Sequence, residues 1–327
     1  MNTDIVRISA LLDRLLDRRD YLSIDASSRN LLDRIRASGC ELEVHPQRGV
    51  HLLKTGLGVW ADYLKWRDGK HRARLVEVYG NAASTQDVVR RLIQTHGDKA
   101  DGAIVAADFQ HAGRGRLGRR WIAPPGTAVL FSRGCVWSEA TSAPTCDQLM
   151  LATTIGLCRT LERLAAPRTL GVTLRWPNDL MIDGRKLGGI LVEQFAHAGS
   201  RQAAAVIGVG LNVHLTAVDM TGDLSELREQ ITSLDLCGVH VDRLAVLAAA
   251  VAELDQTLQR IDDESHVDEW RRRSVLLGKP VTLLHDGKRI TGDVVDLSPR
   301  DGLIVRTRGG TLLHLPGAST SLVPDAG

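Results

Sequence analysis

The twelve residues from Gln110 to Trp121 constrain this chain more than any other stretch. They hold three glycines, four arginines and no acid, and Pro124-Pro125-Gly126 follow closely. Glycine tolerates positive φ and close backbone approach, so its N–H groups can face a phosphate. Arginine adds planar, permanently charged forks for the same anion. Gly113, Gly115 and Gly118 also fit the spacing G-x-G-x-x-G. A dinucleotide fold, however, needs a helix opening straight after the glycines, and the prolines prevent one. A kinase glycine loop wants valine two residues after the last glycine, where Arg120 stands. Two readings stay open for the segment alone: an anion-binding loop of another fold, or a solvated arginine loop.

A second run, Arg175-Trp176-Pro177-Asn178-Asp179, leads through Asp183-Gly184 to Arg185-Lys186-Leu187-Gly188-Gly189-Ile190-Leu191-Val192-Glu193. Pro177 ends a strand and throws Asn178 and Asp179 into a turn. Asp183-Gly184 is the two-residue turn of a hairpin, which returns Lys186 to the same end of the sheet. Glycines inside a strand weaken it unless something must approach the backbone. A lysine beside a turn carboxylate, taken alone, reads equally well as a surface ion pair worth at most about 1 kcal/mol. A third run, Gly208-Val209-Gly210-Leu211-Asn212-Val213, again places glycines in a strand and ends in a polar amide.

The chain has 327 residues, 43% hydrophobic and 24% charged, with a net charge of +2. That suits about two globular domains, with room for a third small one. Near-neutrality argues against a surface devoted to nucleic acid or membrane, although a local basic patch stays open. Leu244–Ala252, among the longest apolar stretches, falls well short of the roughly 20 residues that span a bilayer. The start, MNTDIVRISALLDRLLDRRD, has acids where a signal peptide needs a basic start and an apolar run. Five cysteines occur without C-x-x-C, and eleven histidines without H-E-x-x-H. Neither a disulfide framework nor a structural zinc is expected, and a reducing cytoplasm fits best.

Three regions follow from the patterning. Residues 1–60 predict helices over Ile8–Leu16 and Arg29–Ala37, the second begun at Ser27/Ser28 and stopped by Gly39. A hairpin of Glu41–Val44 and Val50–Leu53 completes the region. Residues 61–273 mix strands with helices. A helix is expected from Ala82 through Ile93, with Ser84 and Asp87 as a capping box. Strands are expected at Gly102–Ala107, Ala128–Phe131, Val172–Trp176, Leu180–Ile182, Leu187–Glu193 and Ala204–Val213, and long helices over Leu149–Leu164 and Arg243–Ile261. Residues 274–327 carry closely spaced strands with glycine turns (Val281–Leu284, Arg289–Leu297, Leu303–Thr307, Thr311–Leu315) and read as a small β-barrel.

Taken together, Gln110 with GRGRLGRRW, then RWPNDL, RKLGGILVE and GVGLNV, resemble biotin protein ligase, in the form with an N-terminal winged helix. The resemblance covers the catalytic middle and continues through the tail. Lipoate ligases share the ancestral fold but lack the arginine-rich glycine loop and the W-P-N-D turn. The resemblance implies an α+β fold: a class II synthetase-like ligase core, a winged-helix-like head, and an SH3-like β-barrel tail. It implies two substrates, ATP and biotin, with Mg2+. Biotin carboxylate attacks the α-phosphate to give biotinyl-5'-AMP. A lysine of a biotin carboxyl carrier domain then takes the biotin and AMP leaves. Bringing an anion to a phosphate needs cationic clamps and a metal.

By the same resemblance, Lys186, Arg116 and Asp179 are the catalytic candidates. Lys186 contacts the biotin carboxylate and α-phosphate, and Asp179 orients the incoming amine. Biotin is expected to meet Ser84, Thr85, Gln110, Gly113, Arg114, Gly115, Arg116 and Lys186. The nucleotide is expected to meet Arg119, Trp121, Asn178 and Asn212. No metal ligand set comes from the protein alone. The glycine loop is expected to close over the adenylate. The segment Thr216–Leu234, which should fold over adenosine, contains no aromatic, so leucine or isoleucine packing is expected to replace stacking. Family members use a sheet edge of the core for homodimerisation and for docking the carrier.

Some members also repress biotin-synthesis genes through the winged helix, and this gives a second reading. Ser28–Gly39 resembles the recognition helix and Val44–Leu53 the wing. The stretch Asp17–Ala26 is too short for a full positioning helix. Residues 1–54 hold nine Lys/Arg against eight Asp/Glu, a weak charge for a chain that must neutralise DNA phosphates. A relic domain packed on the enzyme is the competing expectation.

Overall fold

The computed structural model describes residues 2–17, 20–25, 28–69, 74–139, 143–196 and 203–323. Helix α1 (Thr3–Leu16) starts where the Asn2 side chain accepts from Asp4 N at 3.0 Å. Its Leu11, Leu12 and Leu15 are buried together with Leu31, Leu32 and Ile35 of α2 (Arg29–Ala37). The hairpin β1 (Glu41–His45) and β2 (Gly49–Lys54) follows. Between α1 and α2 the described residues form no α-helix. Instead Leu22 pairs with Val50, N to O at 2.7 and 2.9 Å. Part of the stretch Asp17–Ala26, and Ser27, lie outside the described residues.

Helix α3 (Trp60–Arg67), which the patterning missed, joins this head to the core. The core runs β3 (Val76–Ala82), α4 (Thr85–His96), β4 (Ile104–Gln110), β5 (Ala128–Trp137), α5 (Cys146–Ala165), β6 (Thr173–Arg175), β7 (Asp179–Ile182), β8 (Arg185–Ala196), β9 (Ala203–Asn212), α6 (Arg243–Gln259) and α7 (Ser265–Arg273). Its strands form one seven-stranded sheet, β3-β4-β5-β9-β8-β7-β6. Only β3 and β4 run parallel; every other pair is antiparallel. Strand alternation assigns the two faces. Val105 and Val206 pack under Val89 and Ile93 of α4, while Ile104, Phe131 and Ile207 join the large core under α5 and α6.

Several expected elements are longer than patterning suggested. The strand at Gly102–Ala107 runs instead from Ile104 to Gln110, which puts Gln110 on the sheet. The strand from Ala128 continues to Trp137 because all its residues pair with β9. Helix α5 begins at Cys146, where Thr145 and Gln148 make a reciprocal capping box.

The tail holds β10 (Pro280–His285), β11 (Lys288–Ser298), β12 (Gly302–Thr307), β13 (Leu312–Leu315) and β14 (Thr320–Leu322), an antiparallel sheet in the order β13-β12-β11-β10-β14. The last strand was not expected. No helix among the described residues is long and apolar enough to cross a membrane.

Asp242 pins the head to the core. Its carboxylate accepts from Thr55 N and Thr55 Oγ1, both at 2.8 Å, and caps α6 through Leu244 N at 2.7 Å. Thr55 Oγ1 in turn accepts from the buried Trp60 indole at 3.0 Å. Asp242→Ala is expected to cost about 2–3 kcal/mol, a lost cap plus stranded donors, and to expose the 55–60 junction to protease. Urea unfolding with limited proteolysis measures both, and an unchanged midpoint would contradict this role.

Candidate active site

The first half of β8 and the last half of β9, which run antiparallel, form the floor of a cavity of about 650 Å³. Gly189 of β8 pairs with Gly210 of β9, and Leu191 with Gly208. A Cβ on Gly210 would lie 2.5 Å from Trp121 Cε2, and one on Gly208 would lie 2.9 Å from Gln86 Cδ. The strand glycines therefore leave a flat strip on which Trp121 and Gln86 lie. This is the close approach that strand glycines imply. Gln86 is fixed there by donating Nε2–H to Leu191 O at 3.1 Å. Trp121 Nε1 is buried with no hydrogen-bond partner among the described residues.

One wall is the start of α4. The capping box expected of Ser84 and Asp87 does not form, since the Ser84 side chain makes no capping bond. Gln110 does that work: its Oε1 accepts from Thr85 N at 2.7 Å and from Thr85 Oγ1 at 3.1 Å. Asp87 is taken by Arg114, whose Nη1 and Nη2 reach its two oxygens at 2.8 Å each. Those bonds hold the Asp87 carboxyl below the usual carboxylate range. Arg114 also touches Glu193 at 3.4 Å.

The arginine loop folds back on itself. Gly115 N donates to Arg119 O at 2.7 Å and Trp121 N to Gly113 O at 3.0 Å. At its tip Leu117 has φ +55° and is 58% exposed. Arg116 turns toward the tail. It donates to Thr320 O at 2.6 Å, to Gly317 O, and to Asn178 Oδ1 at 3.4 Å. Burial pushes its guanidinium below the ordinary arginine value.

The opposite wall is the turn after β6, where the Trp176–Pro177 peptide is cis. Asn178 is locked to Ile190 by its side-chain amide at 2.9 Å and its carbonyl at 3.1 Å. Asp179 sits between two cations, with Lys186 Nζ at 2.5 Å and the Arg175 guanidinium at 2.8 and 3.1 Å. Lys186 Nζ also lies 5.6 Å from the centre of the Trp121 ring. The expected turn thus does bring this lysine and carboxylate together.

Of the candidates, Ser84, Thr85, Gln110, Arg114, Gly115, Arg116, Arg119, Trp121, Asn178, Asp179 and Lys186 line the cavity. Two do not. Asn212 is buried and donates its amide to Thr232 O at 2.9 Å, tying β9 to the following loop. Gly113 serves the loop itself, because a Cβ there would meet Trp121 O at 2.6 Å. Sequence reasoning left out Arg175, which stands in the quoted run beside Asp179, and Gln86. It also left out the tail wall around Lys279, Thr282 and Ser321, which carries no motif. Among the described residues no group of three His, Cys, Asp or Glu could hold a metal.

The core and cavity can be set beside known proteins. The model of the biotin/lipoate A/B protein ligase family matches residues 82–212, which contain the loop, the turn and both glycine strands. The chain belongs to the biotin/lipoate A/B protein ligase family. The bifunctional ligase/repressor BirA of Escherichia coli (strain K12) is 29% identical over 221 residues, 67% of this chain and just under two thirds (66%) of that protein. The biotin–[acetyl-CoA-carboxylase] ligase of Paracoccus denitrificans is 30% identical over 187 residues, 55% of this chain and 73% of that one. In fold, the chain is similar to the biotin protein ligase of Aquifex aeolicus in complex with biotin and ATP. The TM-score is 0.59 at 26% identity, covering 78% of this chain and 99% of the other.

Gly210→Ala is expected to lift Trp121 off the strip and destabilise the fold by about 1–3 kcal/mol, the usual range for overpacking. Tryptophan fluorescence and urea unfolding read the two effects; an unmoved spectrum and midpoint would refute the contact.

Proposed function

We propose that this chain is a cytoplasmic biotin protein ligase. It activates biotin with MgATP to biotinyl-5'-AMP and transfers the biotin to one lysine of a biotin carboxyl carrier domain. The observation that carries the reading is Lys186 Nζ held 2.5 Å from Asp179 in a cavity also lined by Arg114, Arg116 and Arg119. Such a site suits two anions that must meet. Ser84, Thr85 and Gln110 are uncharged hydrogen-bonding groups at the α4 wall, suited to a ureido ring. Arg116, Arg119 and Lys186 face the carboxylate and phosphate side.

In the first half-reaction a carboxylate oxygen of biotin forms a bond to the α-phosphorus of ATP, and the bond to pyrophosphate breaks. Lys186 leaves its pairing with Asp179 and neutralises the charge that gathers between carboxylate and phosphate. Magnesium enters as part of the nucleotide substrate, its ligands being chiefly the triphosphate. In the second half-reaction the carrier lysine attacks the acyl carbon, AMP departs, and Asp179, freed from Lys186, orients the amine. The arginine loop shields the mixed anhydride from water between the two. We read residues 1–60 as a winged-helix-like head that packs on the enzyme and 274–327 as an SH3-like barrel. The lack of an α-helix among the described residues between α1 and α2, and the Thr55–Asp242 anchor, support the packing role.

The deciding experiment is incubation with biotin, MgATP and a carrier domain, followed by an avidin blot. One labelled lysine is expected, and none would overturn the reading. Lys186→Ala is expected to reduce adenylate formation at least about 100-fold, the scale of removing one preorganised charge from a transition state; near-normal pyrophosphate release would contradict that role. Arg116→Gly is expected to leak biotinyl-AMP and to label bystander lysines. Mass spectrometry showing undiminished selectivity would refute the shielding role.

A further inference from the structure

We propose that Asp147 is a positioning residue for Arg116, acting through the tail segment Gly317–Thr320, so that the tail builds part of the active site. The inference rests on the ligase reading for what Arg116 does, but its geometry stands without it.

The loop's own bonds, Gly115 N to Arg119 O and Trp121 N to Gly113 O, join backbone atoms only and do not hold the Arg116 side chain. Arg116 is held from outside. Its Nη2 donates to the carbonyls of Gly317 and Thr320, while Nη1 reaches only the distant Asn178 oxygen at 3.4 Å. The remaining donors of the fork stay free for an anion. The two carbonyls are useful only if they stay put, and Asp147 provides for that. Asp147 lies in the first turn of α5 and is 9% exposed. Its two oxygens accept from Gly317 N at 3.0 and 3.2 Å. The fit is close, since a Cβ on Gly317 would lie 2.6 Å from Asp147 Oδ1 and 3.2 Å from Pro177 Cβ. One backbone amide is therefore clasped by a buried carboxylate while the carbonyl of the same residue clasps the arginine.

The charge on Asp147 is maintained at a cost. Burial pushes its carboxyl up to about 6, against the bond from Gly317 and the field of Arg116, both of which lower it. Asp301, on the β11–β12 turn, pushes it further up. Arg175 and Asp179 face it across a small adjoining cavity. A carboxyl whose folded value lies above its unfolded one binds its proton more firmly when folded. Stability therefore falls as pH rises from about 4 to about 6, and the ionised group is a burden at neutral pH. Asparagine has the same shape without that burden. The negative charge of aspartate strengthens the hold on the amide of Gly317 and attracts Arg116.

The test uses the full chain and two readouts. The first is amide hydrogen exchange, without ligand, over 113–120 and 316–320. Asp147→Asn is expected to speed exchange in both segments roughly tenfold, the loss of one charge-assisted hydrogen bond, while raising the thermal midpoint at neutral pH. After correction for intrinsic rates, the unmodified chain should show the same loosening as pH falls through about 6, and Asp147→Asn should show no such limb. The second readout is loss of biotinyl-AMP from the enzyme, expected to be about tenfold faster in Asp147→Asn. It should not be faster still when Asp147→Asn is added to Arg116→Ala, because the two act as one unit. Unchanged loop exchange in Asp147→Asn, or an equal effect in the Arg116→Ala background, would overturn the proposal. Failure of the unmodified chain to form biotinyl-AMP would count against the ligase reading, and exchange in the ligand-free protein would still decide whether Asp147 holds the loop.

Discussion

The site depends on keeping several positive charges close together in a half-buried cavity before any ligand arrives. Two unit charges 4 Å apart repel by about 4 kcal/mol at the effective dielectric of a protein surface. Left alone, Arg114, Arg116, Arg175 and Lys186 would splay apart. Each is given a fixed acceptor instead: Asp87 for Arg114, Asp179 for both Arg175 and Lys186, and backbone carbonyls of the tail for Arg116. An anionic ligand then exchanges for acceptors that already hold the cations near their working places, and little rearrangement is required of the protein.

The sheet supplies the second half of the arrangement. Bare strands at Gly189, Gly208 and Gly210 let Trp121 and Gln86 lie on the floor, and the Trp121 ring comes within 5.6 Å of Lys186 Nζ. The arginine loop is thus anchored at both ends, by Gln110 on β4 and Trp121 on the floor. Between those anchors its own backbone bonds fold it back on itself, while Arg114 and Arg116 are held by groups on α4 and on the tail. Head, core and tail contribute to one hydrophobic cluster, and polar contacts such as Thr55–Asp242 and Asp147–Gly317 join them as well.

Much of this was legible from the sequence where one residue type has one physical use. The W-P-N-D turn followed by a two-residue hairpin placed Lys186 beside Asp179, and strand glycines announced a close approach. Reading failed where the partner was remote in the chain. Ser84-x-x-Asp87 has the letters of a capping box, but Arg114 offers Asp87 two charge-assisted bonds and Gln110 takes over the cap. Asn212 looked like a ligand-reading amide because it ends a strand. Its Nδ2 donates to Thr232 O, in a loop whose course no local pattern reveals. Gly317 and Thr320 carry no motif at all; their use depends on how β14 returns against β10, a contact between segments that local periodicity does not report.

The central claim is that these cations join a carboxylate to an α-phosphate with departure of pyrophosphate. It is tested most directly by isotope exchange between labelled pyrophosphate and ATP, in the presence of biotin and magnesium and with no carrier protein. The account predicts exchange that depends strictly on biotin. No exchange, or exchange at the same rate without biotin, would contradict it.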